Sequence, residues 1–340
     1  MSIGLEGLAV STLSLLVCDD SNMARKQLLR ALPAEWPVTV TQAADGQEAL
    51  GLLRQGTFDV LLLDLTMPVL DGYGVLAAIR AEGLPCQVIV VSGDVQEEAV
   101  RRVMELGALA FLKKPADPAQ LKQTLLQLGL LAPGGAVQAR AAISEPMVSF
   151  RDAFREVINV AMGRAAALLA RVLGVFVQLP LPNVNILEVG ELHMALADAQ
   201  VGDGLTAVCQ GYIGGGICGE ALLIFHDSEV ADMAKLMHWQ DDQYSSMEML
   251  LDMSSVLIGA CLSGIAEQIN VKFSQGHPQI LGEHASIDEL IRLNQQRWQK
   301  TLAVEISYSI EGYDIHFDLL LLFTEDSVPL LTHKLAYLMG

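Results

Sequence analysis

Basic residues are scarce in this 340-residue chain: 21 lysines and arginines stand against 40 aspartates and glutamates, a formal charge of -19. A chain with so little positive surface cannot displace counterions from a phosphate backbone, and it lacks a helix-turn-helix or zinc-finger pattern, so nucleic acid is excluded as a partner. Cysteines number five, at positions 18, 86, 209, 218 and 261, with no C-x-x-C pair and mostly inside apolar runs. They read as small core residues in a reducing compartment. The seven histidines form neither H-E-x-x-H nor H-x-x-E-H, which leaves zinc unsupported. A basic leader with an unbroken apolar core is missing from the N-terminus, which argues against a secretory signal. The most apolar long segment, 157–181, is interrupted by Asn159, Arg164 and Arg171, which argues against a membrane span. The expectation is a soluble, acidic, cytoplasmic protein.

The length suits two or three domains, each with a substantial core. Five apolar runs, LSLLVC (13–18), VTVTQA (38–43), FDVLLL (58–63), CQVIVV (86–91) and ALAFL (108–112), are each followed by a helix-patterned segment. Strands alternating with amphipathic helices predict a parallel sheet wound on both faces, in an α/β domain over 1–130. Chemistry in such a sheet gathers beyond the carboxyl ends of the strands. Asp19 and Asp20 follow the first run, Asp64 the third, Ser92 the fourth and Lys114 the fifth. A buried carboxylate becomes a useful nucleophile when a divalent cation and a lysine neutralise the incoming phosphoryl oxygens. Mg²⁺ takes oxygen ligands, which the adjacent Asp19 and Asp20 facing Asp64 can supply. Asp71 reads as a turn former and Lys113 as a solvated neighbour.

In order along the chain, VCDDS, DLTMPVLDG, VSGD and AFLKKP make residues 13–128 resemble the response-regulator receiver (CheY-like) family, with its flavodoxin-like five-stranded fold. The resemblance implies Asp64 as phosphoacceptor, Asp19 and Asp20 as the acidic metal pair, and Thr66 as a backbone carbonyl ligand to Mg²⁺. It also implies Ser92 as hydroxyl switch, Phe111 as aromatic switch, Lys114 as the phosphate-binding lysine, and a histidine kinase of the CheA type as phosphodonor.

Small residues, Gly and Pro dominate 131–149, which reads as a linker to a second domain over 150–340. That domain contains a weak duplication. Glu156, Asn159, Gly163, Pro182, Val208, Tyr212 and Gly216 pair with Asp252, Ser255, Gly259, Pro278, Val304, Tyr308 and Gly312, always 96 residues apart. Each half reads as a long helix, an extended proline-containing segment and two strands around a glycine turn. The predicted architecture is α+β: an antiparallel sheet with two long helices and an internal pseudo-twofold repeat. Ser245 and Glu248 look like a capping box for the second long helix. GYIGGGICGE (211–220) lacks G-K-[ST] and reads as a hairpin turn, and Met247, Met249 and Met253 as a core or interface patch.

On the first long helix the apolar positions form one core-facing stripe, and Glu156 and Asn159 share another, exposed face with Gly163 and Ala167. A carboxamide can hold water in line with an acyl-phosphate phosphorus while a carboxylate engages a lysine. E-x-x-N-x-x-x-G-x-A-A-x-x-L, with its altered copy D-x-x-S-x-x-x-G and the paired hairpins, resembles the CheC/CheX family of CheY-phosphate phosphatases over about 150–325. The resemblance implies Glu156 and Asn159 as the catalytic pair. Asp252 is one methylene shorter and Ser255 has no carboxamide, so the second copy is expected to be degenerate. A further E-x-x-N, Glu267 and Asn270, maps onto Arg171 and Gly174 and is set aside. Two functions follow as expectations: hydrolysis of receiver aspartyl phosphate, its own or that of a separate CheY-like protein, or a non-catalytic adaptor in which phosphorylation controls binding or homodimerisation. A third, a phosphate sink, needs only the first domain.

Overall fold

The computed structural model describes residues 12–132, 143–188, 204–237, 246–285 and 300–339. It divides into two compact units, Met1–Ser92 with Val100–Met147, and Gly93–Ala99 with Val148–Gly340. Ser245 and the middle of the 131–149 stretch lie outside the described residues.

The first sheet is built from β1 (Leu13–Cys18), β2 (Val38–Ala43), β3 (Val60–Leu63), β4 (Gln87–Ser92) and β5 (Ala110–Lys113), in the order β2-β1-β3-β4-β5 and parallel throughout. Near-continuous apolar strands are what a sheet covered on both faces requires. Alternate residues serve the two faces: Leu15, Val17, Leu62 and Ile89 join one core, Leu16, Leu61, Leu63 and Val90 the other. Helices α1 (Asn22–Ala31), α2 (Gly46–Gln55), α3 (Gly72–Glu82) and α5 (Pro118–Gln127) start at Ser21, Asp45, Asp71 and Asp117, whose side chains each accept from a backbone N–H three residues on. Asp71 is thus a helix cap, which accounts for its place in the turn. Between them α4 runs over Glu97–Glu105. The described end of the linker stretch returns to this unit: Ile143 packs on its core, the Gln42 amide donates to the Ser144 carbonyl, and Arg30 pairs with Glu145.

The second unit opens with α6 (Phe150–Leu173), closed at its start by a reciprocal capping box between Ser149 and Asp152 and at its end by left-handed Gly174. There follow β6 (Val177–Gln178), β7 (Asn183–Glu188), β8 (Leu205–Gly214), β9 (Ile217–His226), α7 (Asp227–Leu236), α8 (Ser246–Ile269), β10 (Ser274–Gln275), β11 (Gln279–Ala285), β12 (Lys300–Ile310), β13 (His316–Thr324) and α9 (Ser327–Met339). The sheet is antiparallel, in the order β10-β8-β9-β13-β12-β6, with β11 also on β8 and β7 also on β12. Gly215 and Gly216, both at positive φ, form the two-residue turn between β8 and β9, so the glycine run is a hairpin. Met249 and Met253 are buried.

The expected single apolar stripe on α6 is corrected by the structure, which buries the helix almost all round from Ala153 to Ala167. Three neighbours account for this. Phe154 meets Phe323 of the sheet edge-on at 5.4 Å. On a second side α8 approaches so closely that a Cβ on Gly264 would lie 2.8 Å from the Cα of Ala161. On a third lies the segment 93–99, whose Gly93 carbonyl occupies the place a Gly163 side chain would need. Gln96 secures that segment, its amide donating to the Val177 carbonyl at 2.7 Å and accepting from the Val177 N–H at 2.9 Å. Among the described residues, α8 is the one helix long and apolar enough to cross a membrane by length and composition, a helix the sequence reading did not single out; 61% of its apolar window is buried inside the protein.

Candidate functional site

The carboxyl ends of β1, β3, β4 and β5 bring together side chains far apart in sequence. Asp19 follows β1, where its Oδ1 accepts from the Ser21 N–H at 2.9 Å while Ser21 caps α1. Asp20 is half-buried beside it. Asp64 ends β3 at 1% exposure, and Ser92 ends β4 fully buried. Lys114, 4% exposed, follows β5, and the peptide joining it to Pro115 is cis. Its Nζ stands 2.7 Å from Asp19 Oδ2 and 3.3 Å from Asp64 Oδ1. One carboxylate oxygen from each of Asp19, Asp20 and Asp64 lies within 4.8 Å of the others. Three carboxylates against one ammonium leave a local excess of negative charge, the condition for taking up a cation. The donors are all hard oxygens, as Mg²⁺ demands, so the residues fit the ion the sequence pointed to.

Thr66 and Phe111 are each half-buried close along the chain to this group, and Lys113 is exposed. Two participants escaped the sequence reading. Arg25, 8% exposed on the inner side of α1, donates to the Asp19 carbonyl and to Asn22 Oδ1, bracing the loop that holds the acidic pair. An arginine in a helix is ordinarily a surface residue, so nothing local marks it. Cys18 packs its thiol against Met67 Sδ, and burial, with Asp19 and Asp64 next, holds its pKa far above the ordinary thiol value. It is unsuited to be a nucleophile.

In the second unit Glu156 and Asn159 lie one turn apart on α6, 4% and 7% exposed, where the sequence predicts an exposed face. Gly93 lies against Asn159, a Cβ there reaching within 3.2 Å of the Asn159 carbonyl. Their counterparts on α8 are open: Asp252 is exposed and Ser255 half-buried. The Glu267 carboxylate pairs with Arg164, and Asn270, at φ 52°, ends α8 in the left-handed conformation that asparagine tolerates. Both residues of that second E-x-x-N therefore have structural employment.

Residues 15–126 match the response regulator receiver domain. The probable transcriptional regulatory protein NarL of Mycobacterium tuberculosis is 33% identical over 166 residues, which is 45% of this chain and 76% of that protein. A protein-glutamate methylesterase/protein-glutamine glutaminase of Symbiobacterium thermophilum is 40% identical over 120 residues, 34% of this chain and 33% of that one. Among solved structures, the NarL receiver domain (33% identity, TM-score 0.33) covers 35% of this chain and 96% of its own, and Thermotoga maritima FliY (18%, TM-score 0.40) covers 55% and 96%. Both TM-scores are too low to bear on function. With the parallel sheet, the acid cluster and the lysine in register, the chain belongs through its first unit to the response regulator receiver family.

Proposed function

We propose that Asp64 is phosphorylated by a histidine kinase and that α6 hydrolyses a receiver aspartyl phosphate, through Asn159 and Glu156. The observation that supports the first half is Lys114 Nζ within 3.3 Å of both Asp19 and Asp64 in a buried acidic cluster. An Asp64 oxygen attacks phosphorus, the bond to the donor imidazole breaks, and its electron pair returns to the ring nitrogen. Lys114 pairs with the phosphoryl oxygens, the Ser92 hydroxyl donates to one of them, and Phe111 responds by changing burial. Asp19, Asp20, Asp64 and the Thr66 carbonyl would hold Mg²⁺, which when bound neutralises charge on the transferring group. Phosphorylation adds roughly -1.5 to -2 charge, enough to bias a two-state surface.

In the second unit the spacing of Glu156 and Asn159 on one helix turn, with no side chain at Gly163, supports a surface that inserts against a receiver. The Asn159 carboxamide orients a water; the water oxygen bonds to phosphorus as the acyl P–O bond breaks, leaving aspartate and inorganic phosphate, with the water protons shared between phosphate and solvent. Glu156 anchors the receiver's lysine. The second half of the domain is a degenerate copy of the first. Supporting this, α6 and α8 have ranges exactly 96 residues apart, and β6 and β7 pair with β12 as β10 and β11 pair with β8. The substrate is either this chain's Asp64 or a separate CheY-like receiver. A non-catalytic adaptor is the second reading, favoured by the loss of the carboxamide at Ser255.

Decay of radiolabelled aspartyl phosphate in the full chain, and on an added CheY-type receiver, tests the proposal. Asn159→Ala is expected to slow phosphate release about a hundredfold, the scale for losing one group that acts in the transition state. Equal rates would leave the adaptor.

A further inference from the structure

Residues 143–145 have no regular secondary structure, yet each of the three is held on the first unit. Ile143 packs on the core cluster that contains Leu28, Leu125 and Leu131. The Ser144 carbonyl accepts from the Gln42 amide at 2.9 Å. Glu145 forms a two-bond fork with Arg30, at 3.0 and 2.7 Å, and Lys26 Nζ stands 3.7 Å from Glu145 Oε2. Ordering three residues costs conformational entropy, and an ion pair this exposed returns little. Docking of the segment is therefore close to balance, where a modest further interaction decides its state.

Gln42 joins this segment to the acidic site. It is half-buried on β2, the edge strand of the parallel sheet. Its Oε1 accepts from Arg25 Nε at 3.3 Å while its Nε2 donates to Ser144. A guanidinium has no acceptor and a peptide carbonyl no donor, so the amide fits only one way round. The arginine charge on its oxygen also polarises the amide and strengthens its donation to Ser144. Arg25 in turn donates to the Asp19 carbonyl, the backbone of the residue whose Oδ2 meets Lys114 at 2.7 Å. In a chain with only 21 lysines and arginines, all three on α1, Arg25, Lys26 and Arg30, serve either the Asp19 loop or Glu145.

We infer that Arg25 and Gln42 couple the acidic site to residues 143–145, so that a cation at Asp19 and docking of the segment strengthen each other. The inference rests on reading Asp19, Asp20 and Asp64 as a Mg²⁺ site. A cation there fixes the Asp19 loop, whose carbonyl is the Arg25 acceptor, and a fixed Arg25 keeps the Gln42 amide aimed at Ser144. In the other direction, docking holds Gln42, and through it Arg25 and the loop, in the arrangement that brings the carboxylates together. Such a coupling is reciprocal by necessity. Arg25 and Gln42 are positioning residues, acting through the Asp19 loop. The docked segment leaves residues 146–149 as the chain before α6, and release frees 143–145 as well. Occupancy of the acidic site thus sets the length of free chain leading into the second unit.

The test titrates Mg²⁺ into the full-length chain by calorimetry at constant ionic strength. The variants are Ile143→Ser, which undocks the segment without changing charge, Gln42→Ala, which cuts the relay on the edge strand, and the two together. Each single change should weaken Mg²⁺ binding about fivefold, the lower end for coupling between two sites. The double variant should be no weaker than either single one, because both break the same link. Affinity equal to wild type in Ile143→Ser and Gln42→Ala overturns the relay. A double variant weakened by the product of the two single losses overturns it as well, since independent defects multiply. The Mg²⁺ site itself fails differently: a wild-type chain that takes up no Mg²⁺, or whose uptake is unchanged by Asp64→Asn, removes that reading and the relay with it.

Discussion

Lys114 brings one positive charge to a place where three carboxylates converge, and its ammonium is shared between Asp19 and Asp64. The two contacts hold the Asp64 side chain and the lysine in place against each other. Asp64→Asn is expected to abolish phosphoryl incorporation from acetyl phosphate, followed by mobility in a phosphate-affinity gel; incorporation at the wild-type level would put the acceptor elsewhere. The acids and the lysine were legible because they stand directly after apolar runs. Arg25 was not, since its role depends on an inward orientation that only the packed helix defines.

At the level of elements, the adjacent strands β12 and β13 carry an electrostatic penalty. Glu305 lies opposite Leu320, and Asp318 is its diagonal neighbour on the same face. Burial first, and then Asp318, raise the Glu305 pKa above the ordinary carboxylate value, against a lowering hydrogen bond from Asn183. A raised folded-state pKa means the folded protein holds this proton more tightly than the unfolded chain. The contribution to stability is present below the ordinary glutamate pKa and is lost as pH rises through the raised value. Glu305→Gln should therefore raise the thermal midpoint at neutral pH, with the gain fading by about pH 4, where the unfolded glutamate is itself protonated; a gain independent of pH would point to packing instead. The long hairpins were readable from alternation and their glycine turns. The short strands β6 and β10 were not, because each is two residues long and is defined by a partner far along the chain, Val177 by Ile310 and Gln275 by Tyr212.

For the whole molecule, the charge of -19 and the presence of two compact units with their own cores shape the response to ligands. A ligand that binds only the folded first unit stabilises it by mass action, about 2.7 kcal/mol at a hundredfold excess over its Kd. Beryllofluoride with Mg²⁺ should raise a calorimetric transition of the wild-type chain by that mechanism, and Asp64→Asn should remove the shift; an equal shift in both would mean binding outside the acidic cluster.

Local order came from the sequence by itself. Strand and helix periodicity, the order of the acids and lysine, and the glycine hairpin all depend on neighbours within a few residues, and they could be read there. Tertiary structure alone decided which faces are covered. The burial of α6 on three sides, the seating of Gly93 against Gly163, the pairing of Gln96 with Val177 and the open face of α8 all depend on surfaces supplied by segments distant in the chain. A helix's own periodicity records how much apolar surface it offers; it does not record how many neighbours arrive to bury it.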